Sequence, residues 1–266
     1  MSDGAKRRLR WAEYRTTEFG DGVDADATIA LLPLAAVEQH GPHLPVGTDA
    51  LIAEGMLMTA ARMQSADLDV RGLPIQSVGK SNEHLYAPGT LTLPASVAIE
   101  AWTELGLSVS RAGVRKLVLV NSHGGNEEIM GIVARELRVR EQMLVVKTGW
   151  TRFQPPDGML TDIEKRHGIH AGDLETSLML HFRPELVDMA RAQDFQSVAE
   201  DDEAAFDHLR PTGFIAYAWI AGDLNPDGAV GEAHKATPDK GRLTAEHASG
   251  EFIKLLYDVK AAKLPR

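Results

Sequence analysis

The stretch Val37-Glu38-Gln39-His40-Gly41-Pro42-His43-Leu44-Pro45-Val46-Gly47-Thr48-Asp49 concentrates carboxylates and imidazoles between an apolar run, residues 29–37, and an amphipathic helix-like run, residues 50–63. Glu38 and His40 are two residues apart, so a strand that stays regular as far as His40 points both to the same side. Gly41, Pro42, Pro45 and Gly47 then turn the chain and bring Asp49 back toward the same point at the start of the next helix. Carboxylate oxygen with imidazole nitrogen is a ligand set for divalent Zn, Mn or Fe. Taken alone, the stretch also suits an exposed polar loop in which Asp49 only caps a helix.

A second cluster weighs against that plainer reading. His123 follows the buried run Leu117-Val118-Leu119-Val120 and precedes Gly124 and Gly125, where backbone can approach a ligand with no Cβ in the way. A third cluster is His167, His170, Asp173 and Glu175. Asp173 there equally suits the positive end of a helix, a purely structural role.

These residues need elements to carry them. Residues 28–37 are almost continuously aliphatic, the pattern of a central strand covered on both faces. Helix is expected over 51–63, a second strand over 68–77 interrupted by Gly72 and Pro74, and a polar loop over 79–90 that contains His84. Helix 94–112, strand 116–121, helix 127–141 and strand 143–150 follow. Strand and helix thus alternate at least three times, which predicts a mostly parallel sheet with helices on both sides. Site loops then fall at the carboxyl ends of strands, where ligands bind in such sheets. Residues 151–168 read as a loop or lid, 171–182 as a helix, 214–220 as a late strand, 223–231 as a turn-rich loop and 239–260 as a final helix. Residues 11–19 read as a short N-terminal helix, and Glu200, Asp201, Asp202 and Glu203 as a solvated surface.

Composition narrows the classes. With 266 residues and 44% hydrophobic content the chain reads as one α/β domain, residues 1–266. A net charge of -10 disfavours nucleic acid and anionic membrane, both of which are bound chiefly through Lys and Arg. The absence of cysteine removes disulfides, thiolate metal sites and a cysteine nucleophile, so any metal uses His, Asp and Glu. The basic start, residues 1–10, lacks the apolar stretch of a signal peptide and no run reaches membrane-spanning length, so the cytoplasm is the expected location.

Three segments together carry a family likeness. Glu-Gln-His-Gly-Pro-His-Leu-Pro-Val-Gly-Thr-Asp at 38–49, Asn-Ser-His-Gly-Gly-Asn at 121–126 and His-Ala-Gly-Asp-Leu-Glu-Thr-Ser at 170–177 resemble the creatininase family, with 79–90 and 231–241 similar too. The resemblance implies a three-layer α/β/α fold and metal-dependent amidohydrolase chemistry, in a family that also holds deformylases and a peptide-processing hydrolase. It implies two divalent metal ions: Glu38 and His123 on one, His40 on the other, Asp49 bridging them. In creatininase a glutamate two residues after the strand-end histidine completes the second site; here that position is Gly125, which points away from creatinine as substrate. Glu175 is the candidate to replace it, as ligand or as the base that holds the attacking water, and His170 the candidate to protonate the leaving nitrogen. His84, Gly124, Gly125 and Trp150 are expected on the substrate side. The chemistry implied is hydrolysis of a non-peptide C–N bond in a small amide by a hydroxide held between two cations. A homo-oligomer, hexameric by resemblance, is expected. Two alternatives stand beside this: a binuclear phosphoesterase, disfavoured because no glycine-rich phosphate cradle or Arg cluster accompanies the site, and a non-catalytic binding domain of the same fold.

Overall fold

Every side chain of strand β1 (Ile29–Leu34) is buried, as its unbroken apolar sequence requires. In this computed structural model, which describes residues 8–264, it lies inside a four-stranded sheet of order β2-β1-β3-β4. The neighbours are β2 (Val70–Gly72), β3 (Lys116–Asn121) and β4 (Leu144–Gly149), and every pairing is parallel. Between the strands run α1 (Thr48–Met63), α2 (Ala95–Arg111) and α3 (Glu127–Glu141).

Alternation along the strands assigns the two faces. Ile29, Leu31, Val118 and Val120 face one core with α1, α5 (Asp173–Phe182) and α8 (Pro238–Ala261), while Ala30, Leu32, Leu34, Leu117 and Leu119 face another with α2 and α3. The result is the three-layer arrangement expected. Gly241 lets α8 settle directly on the Ser177 carbonyl of α5, where a Cβ would press on that backbone.

The strand order has a functional consequence. The chain steps from β1 to β2 on one side and then crosses back to β3 and β4 on the other. The crevice between the ends of β1 and β3, where Leu34 pairs with Asn121, is therefore the topological switch point of the sheet.

Several expectations change. Residues 11–19 form two 3-10 turns, Trp11–Glu13 and Thr16–Glu18, instead of one helix. They wrap the edge of β2, where Gly72 N–H donates to the Leu9 carbonyl and Arg71 lies over the Tyr14 and Phe19 rings. The supposed lid contains α4 (Asp162–His167), capped by Thr161, and its buried Glu164 carboxylate accepts from the backbone of Leu174 and Glu232. Those bonds tie the segment down. Between α5 and α8 lie β5 (Asp194–Phe195), α6 (Val198–Ala205), α7 (Ala221–Leu224) and β6 (Gly231–Glu232); β5 and β6 make a small antiparallel pair the sequence did not suggest. Residues 214–220 have no partner strand. Tyr217 N–H and the Trp219 indole close back on Arg210 and Pro211, and Phe214 and Ile215 stand exposed. The acidic run lies on α6 with Asp201 and Glu203 exposed, as a solvated surface should. The basic residues 1–7 lie outside the described residues, and among the described residues no helix is long and apolar enough to cross a membrane.

Candidate metal centre

Past Leu34 the chain leaves the sheet but does not wander. Leu91 N–H donates to the Val37 carbonyl, Glu38 N–H to the Val46 carbonyl, and Thr48 Oγ1 to the Pro45 carbonyl at 2.6 Å, so the loop folds back on itself. Gly41, at φ +66°, supplies the left-handed turn that this reversal needs. Glu38 and His40 are thereby held over the end of β1, and Asp49 arrives in the first turn of α1. His123 comes from the end of β3, where its N–H donates to Asn121 Oδ1 at 3.1 Å. Asn126 fastens the neighbouring loops together: its Nδ2 donates to the Ala35 carbonyl and to Asn121 Oδ1, each at 3.1 Å, and its Oδ1 accepts from Lys80 N–H at 3.0 Å. Glu175 enters from the first turn of α5, and His170 from the residues before it.

Acid and imidazole groups from these separate loops converge. His40 Nε2 lies 3.2 Å from Asp49 Oδ1 and 3.8 Å from Glu175 Oε2. His123 Nδ1 lies 3.1 Å from Glu38 Oε1 and 3.5 Å from Asp49 Oδ2. Asp49 therefore offers one oxygen to each histidine. Two compact groups with metal-ligand spacing result, His40 with Asp49 and Glu175, and Glu38 with His123 and Glu83; Glu38, His40 and His170 form a third.

The electrostatics show what the cluster lacks. Burial works to raise Glu38, but the imidazoles of His123, His170 and His40 hold it below the usual carboxylate range. Burial would lower His40, yet Asp49, Glu175 and Glu38 hold it up at about 10. Burial would also lower His123, and Glu38 chiefly keeps it well above its ordinary value. Asp49 is raised, because burial outweighs the pull of His40. Burial pushes the Glu175 carboxyl up to about 7 against the same pull, and burial reinforced by His40 holds His170 well below its ordinary value.

A divalent cation fits this donor set on two observations. Glu38 Oε1 and Oε2, His40 Nε2 and Asp49 Oδ2 are buried with no hydrogen-bond partner among the described residues, an expensive arrangement if nothing else binds there. The outward ring nitrogens, moreover, are already engaged: His40 Nδ1 donates to the Glu38 carbonyl at 3.0 Å and His123 Nε2 to the Lys80 carbonyl at 2.9 Å. A carbonyl only accepts, so in each ring the nitrogen turned toward the carboxylate oxygens is the one that can give up its proton to a cation. The buried carboxylates need positive charge beside them, which protons supply in the metal-free protein and a bound cation would supply in their place.

Two residues of the third sequence cluster, His167 and Asp173, lie outside these groups. His167 lies with Glu203 on the surface, and the buried Asp173 pairs with Lys240 and accepts from Ser177, which is the structural role. Trp150 is buried against Phe252 and lines, with Ser122, Phe153 and Leu174, a cleft that Glu175 also reaches. Gly124 leaves open space around its missing side chain. Gly125 does not: a Cβ there would press on the Glu83 carboxylate, the Lys80 carbonyl and His123, so this glycine makes room for protein and not for a ligand. His84 is buried 3.3 Å from Glu38 Oε1. Sequence reasoning missed Glu83, 3.4 Å from His123 Nε2, and Gln39, whose amide touches His84. The available signal for both was adjacency to residues already singled out.

Comparison with known proteins is consistent across sequence and structure. A family model described as creatininase, creatinine amidohydrolase, matches residues 12–256. The mycofactocin precursor peptide peptidase of Mycolicibacterium smegmatis is 30% identical over 255 residues, 94% of this chain and 93% of that protein. Creatinine amidohydrolase of Pseudomonas putida is 32% identical over 204 residues, 70% of this chain and 74% of its own. The crystal structure of a putative creatinine amidohydrolase from Bacteroides fragilis superposes with a TM-score of 0.77 at 22% identity, over 97% of this chain and 98% of that one. Solved creatininases of the same fold include a manganese form and a Zn-Zn type mutant, 23% and 22% identical, each with a TM-score of 0.74 over 96% of this chain and 100% of theirs.

Proposed function

The chain belongs to the creatininase family and is an amidohydrolase, and from that premise we propose that it hydrolyses the C–N bond of a small amide at a two-cation centre over the ends of β1 and β3. The observation that carries the proposal is the set of buried, unpartnered Glu38, His40 and Asp49 atoms. Glu38 and His123 would hold one cation and His40 and Glu175 the other, with one Asp49 oxygen for each. The metal-bearing creatininases of the same fold support zinc or manganese, and the donor set also suits iron. Cations bound there supply Lewis acidity for an amide carbonyl and lower the pKa of a water shared between them.

The protein's own groups supply the rest. Glu175 reaches the cleft beside His40, where its carboxylate is placed to exchange a proton with the attacking water. His170 donates its Nε2–H to the Gln39 carbonyl at 2.8 Å, which fixes its ring and leaves Nδ1 turned toward Glu38 at 3.6 Å. That nitrogen is thereby left free to relay a proton from the attacking water to the departing amine. Gly124 leaves room for substrate on the β3 side, and Trp150 forms an apolar wall of the cleft by Glu175.

Cyclic amides and formamides are the first substrates to try, and the relative named a peptide peptidase adds a peptide amide to that set. The family match over residues 12–256 supports one hydrolase domain, and the exposed Phe214 and Ile215 support a homo-oligomer. The test is to assay zinc- and manganese-loaded protein against panels of small amides, formamides, short peptides and phosphomonoesters. Turnover of at least one C–N substrate that is lost on chelation is expected. Turnover confined to the phosphoesters, or amide turnover indifferent to chelation, overturns the proposal.

A further inference from the structure

The centre contains four imidazoles, and their partners sort them into two kinds. His40, His123 and His170 each give a ring N–H to a backbone carbonyl, so each turns its other nitrogen, the one available to a cation, toward the carboxylates. His84 is turned the other way, and Gln39 turns it. The orientation of the Gln39 amide is dictated by main chain on both sides: Gly41 N–H donates to its Oε1 at 2.9 Å, and its Nε2 donates to the Gly228 carbonyl at 2.8 Å. A flipped amide would set donor against donor and acceptor against acceptor. The second Nε2 hydrogen is left for His84 Nδ1, 2.8 Å away. Only a lone pair can accept it, so the neutral His84 ring carries its proton on Nε2, the nitrogen 3.3 Å from Glu38 Oε1. Gly228, at φ +74°, is part of this seat, because a Cβ there would lie 2.6 Å from Gln39 Oε1 and 2.7 Å from the Tyr86 hydroxyl.

We propose that Gln39 is a positioning residue that fixes the His84 tautomer, so that His84 turns a protonated Nε2 toward the Glu38 side and stays out of the ligand set its neighbours form. The purpose rests on the cation-site reading above, whereas the tautomer rests on hydrogen bonds alone. Partners behind a ligand commonly alter metal affinity by about 10–100-fold when removed.

The test is a long-range proton–nitrogen spectrum of full-length protein labelled with 15N-histidine, recorded metal-free and zinc-loaded, with His84→Gln identifying the His84 signals by their loss. The expected result is a His84 ring protonated on Nε2 and bare on Nδ1 in both states, while the inward nitrogens of His40 and His123 shift on adding zinc. In Gln39→Glu a carboxylate faces Nδ1, the tautomer reverses, and zinc affinity changes by about tenfold or more. A His84 proton on Nδ1 in the wild type, or a His84 nitrogen that shifts like a ligand with zinc, overturns the proposal, and either is read without the Gln39 variant should it fail to fold. The predicted tautomer in a protein that takes up no zinc upholds the role of Gln39 and counts against the cation site instead.

Discussion

Asp49 is the single side chain on which both halves of the centre depend, since its two oxygens face His40 and His123 separately. Asp49→Ala should remove both cations and reduce hydrolysis by at least about a hundredfold while leaving the circular dichroism of the fold intact. Elemental analysis of the purified variant checks this, and full metal content would remove the bridging role. The imidazole and carboxyl shifts give a second expectation. His40 stands at about 10 against an ordinary 6.5, and Glu175 at about 7 against 4.5, so near neutrality the metal-free site holds protons that a cation must displace. Both groups bind protons more tightly folded than unfolded. The stabilisation of the metal-free fold by His40 is present below 6.5 and lost as pH rises through about 10, and that by Glu175 is present below 4.5 and lost as pH rises through about 7. Zinc affinity should therefore rise with pH, by about tenfold per unit for each proton displaced. Titrations in buffers of different ionisation heat measure that release, and an affinity independent of pH across this window would contradict the assignment.

At the scale of elements, the centre exists because two parallel neighbours end together and their loops are tied to one another. Asn126 does much of that tying, contacting Ala35 beyond β1, Asn121 at the end of β3 and Lys80 in the loop that carries Glu83 and His84. Asn126→Ala leaves a buried carbonyl and a buried N–H unpaired and should cost about 1–3 kcal/mol. Thermal unfolding reads that loss, and zinc affinity should fall with it, since the loops lose their registration. The strands and helices of this frame were legible in the sequence because each carries its own signal. Residues 116–121 are an apolar run bounded by polar residues, and residues 127–141 a helical pattern; both appear with the expected bounds. Residues 214–220 carry a strand-like composition but find no neighbour to pair with, and pairing is not a local property. The same holds for β5 and β6, two residues each and far apart in sequence.

For the whole molecule, the candidate site was legible only in part, and the division has a physical cause. Glu38, His40, Asp49, His123 and Glu175 announce themselves by position at strand ends and helix starts. Glu83 and Gln39 gain their roles from how the loop 79–90 and the turn at Gly228 close over the sheet, which no local pattern encodes. Phe206, Leu209, Phe214, Ile215 and Ile220 are exposed in one segment, the surface on which the proposed homo-oligomer can be tested. Light scattering should give a mass that is a multiple of the single chain, and Phe214→Asp with Ile215→Asp should lower it. A monomeric wild type would refute assembly through this segment.

The central claim, a pair of cations between these loops, is tested most directly by anomalous scattering at the zinc edge from crystals grown with zinc. The account predicts two peaks, one among Glu38, His123 and Asp49 and the other among His40, Asp49 and Glu175. Zinc-free density at those positions, or zinc bound only elsewhere on the molecule, would contradict it.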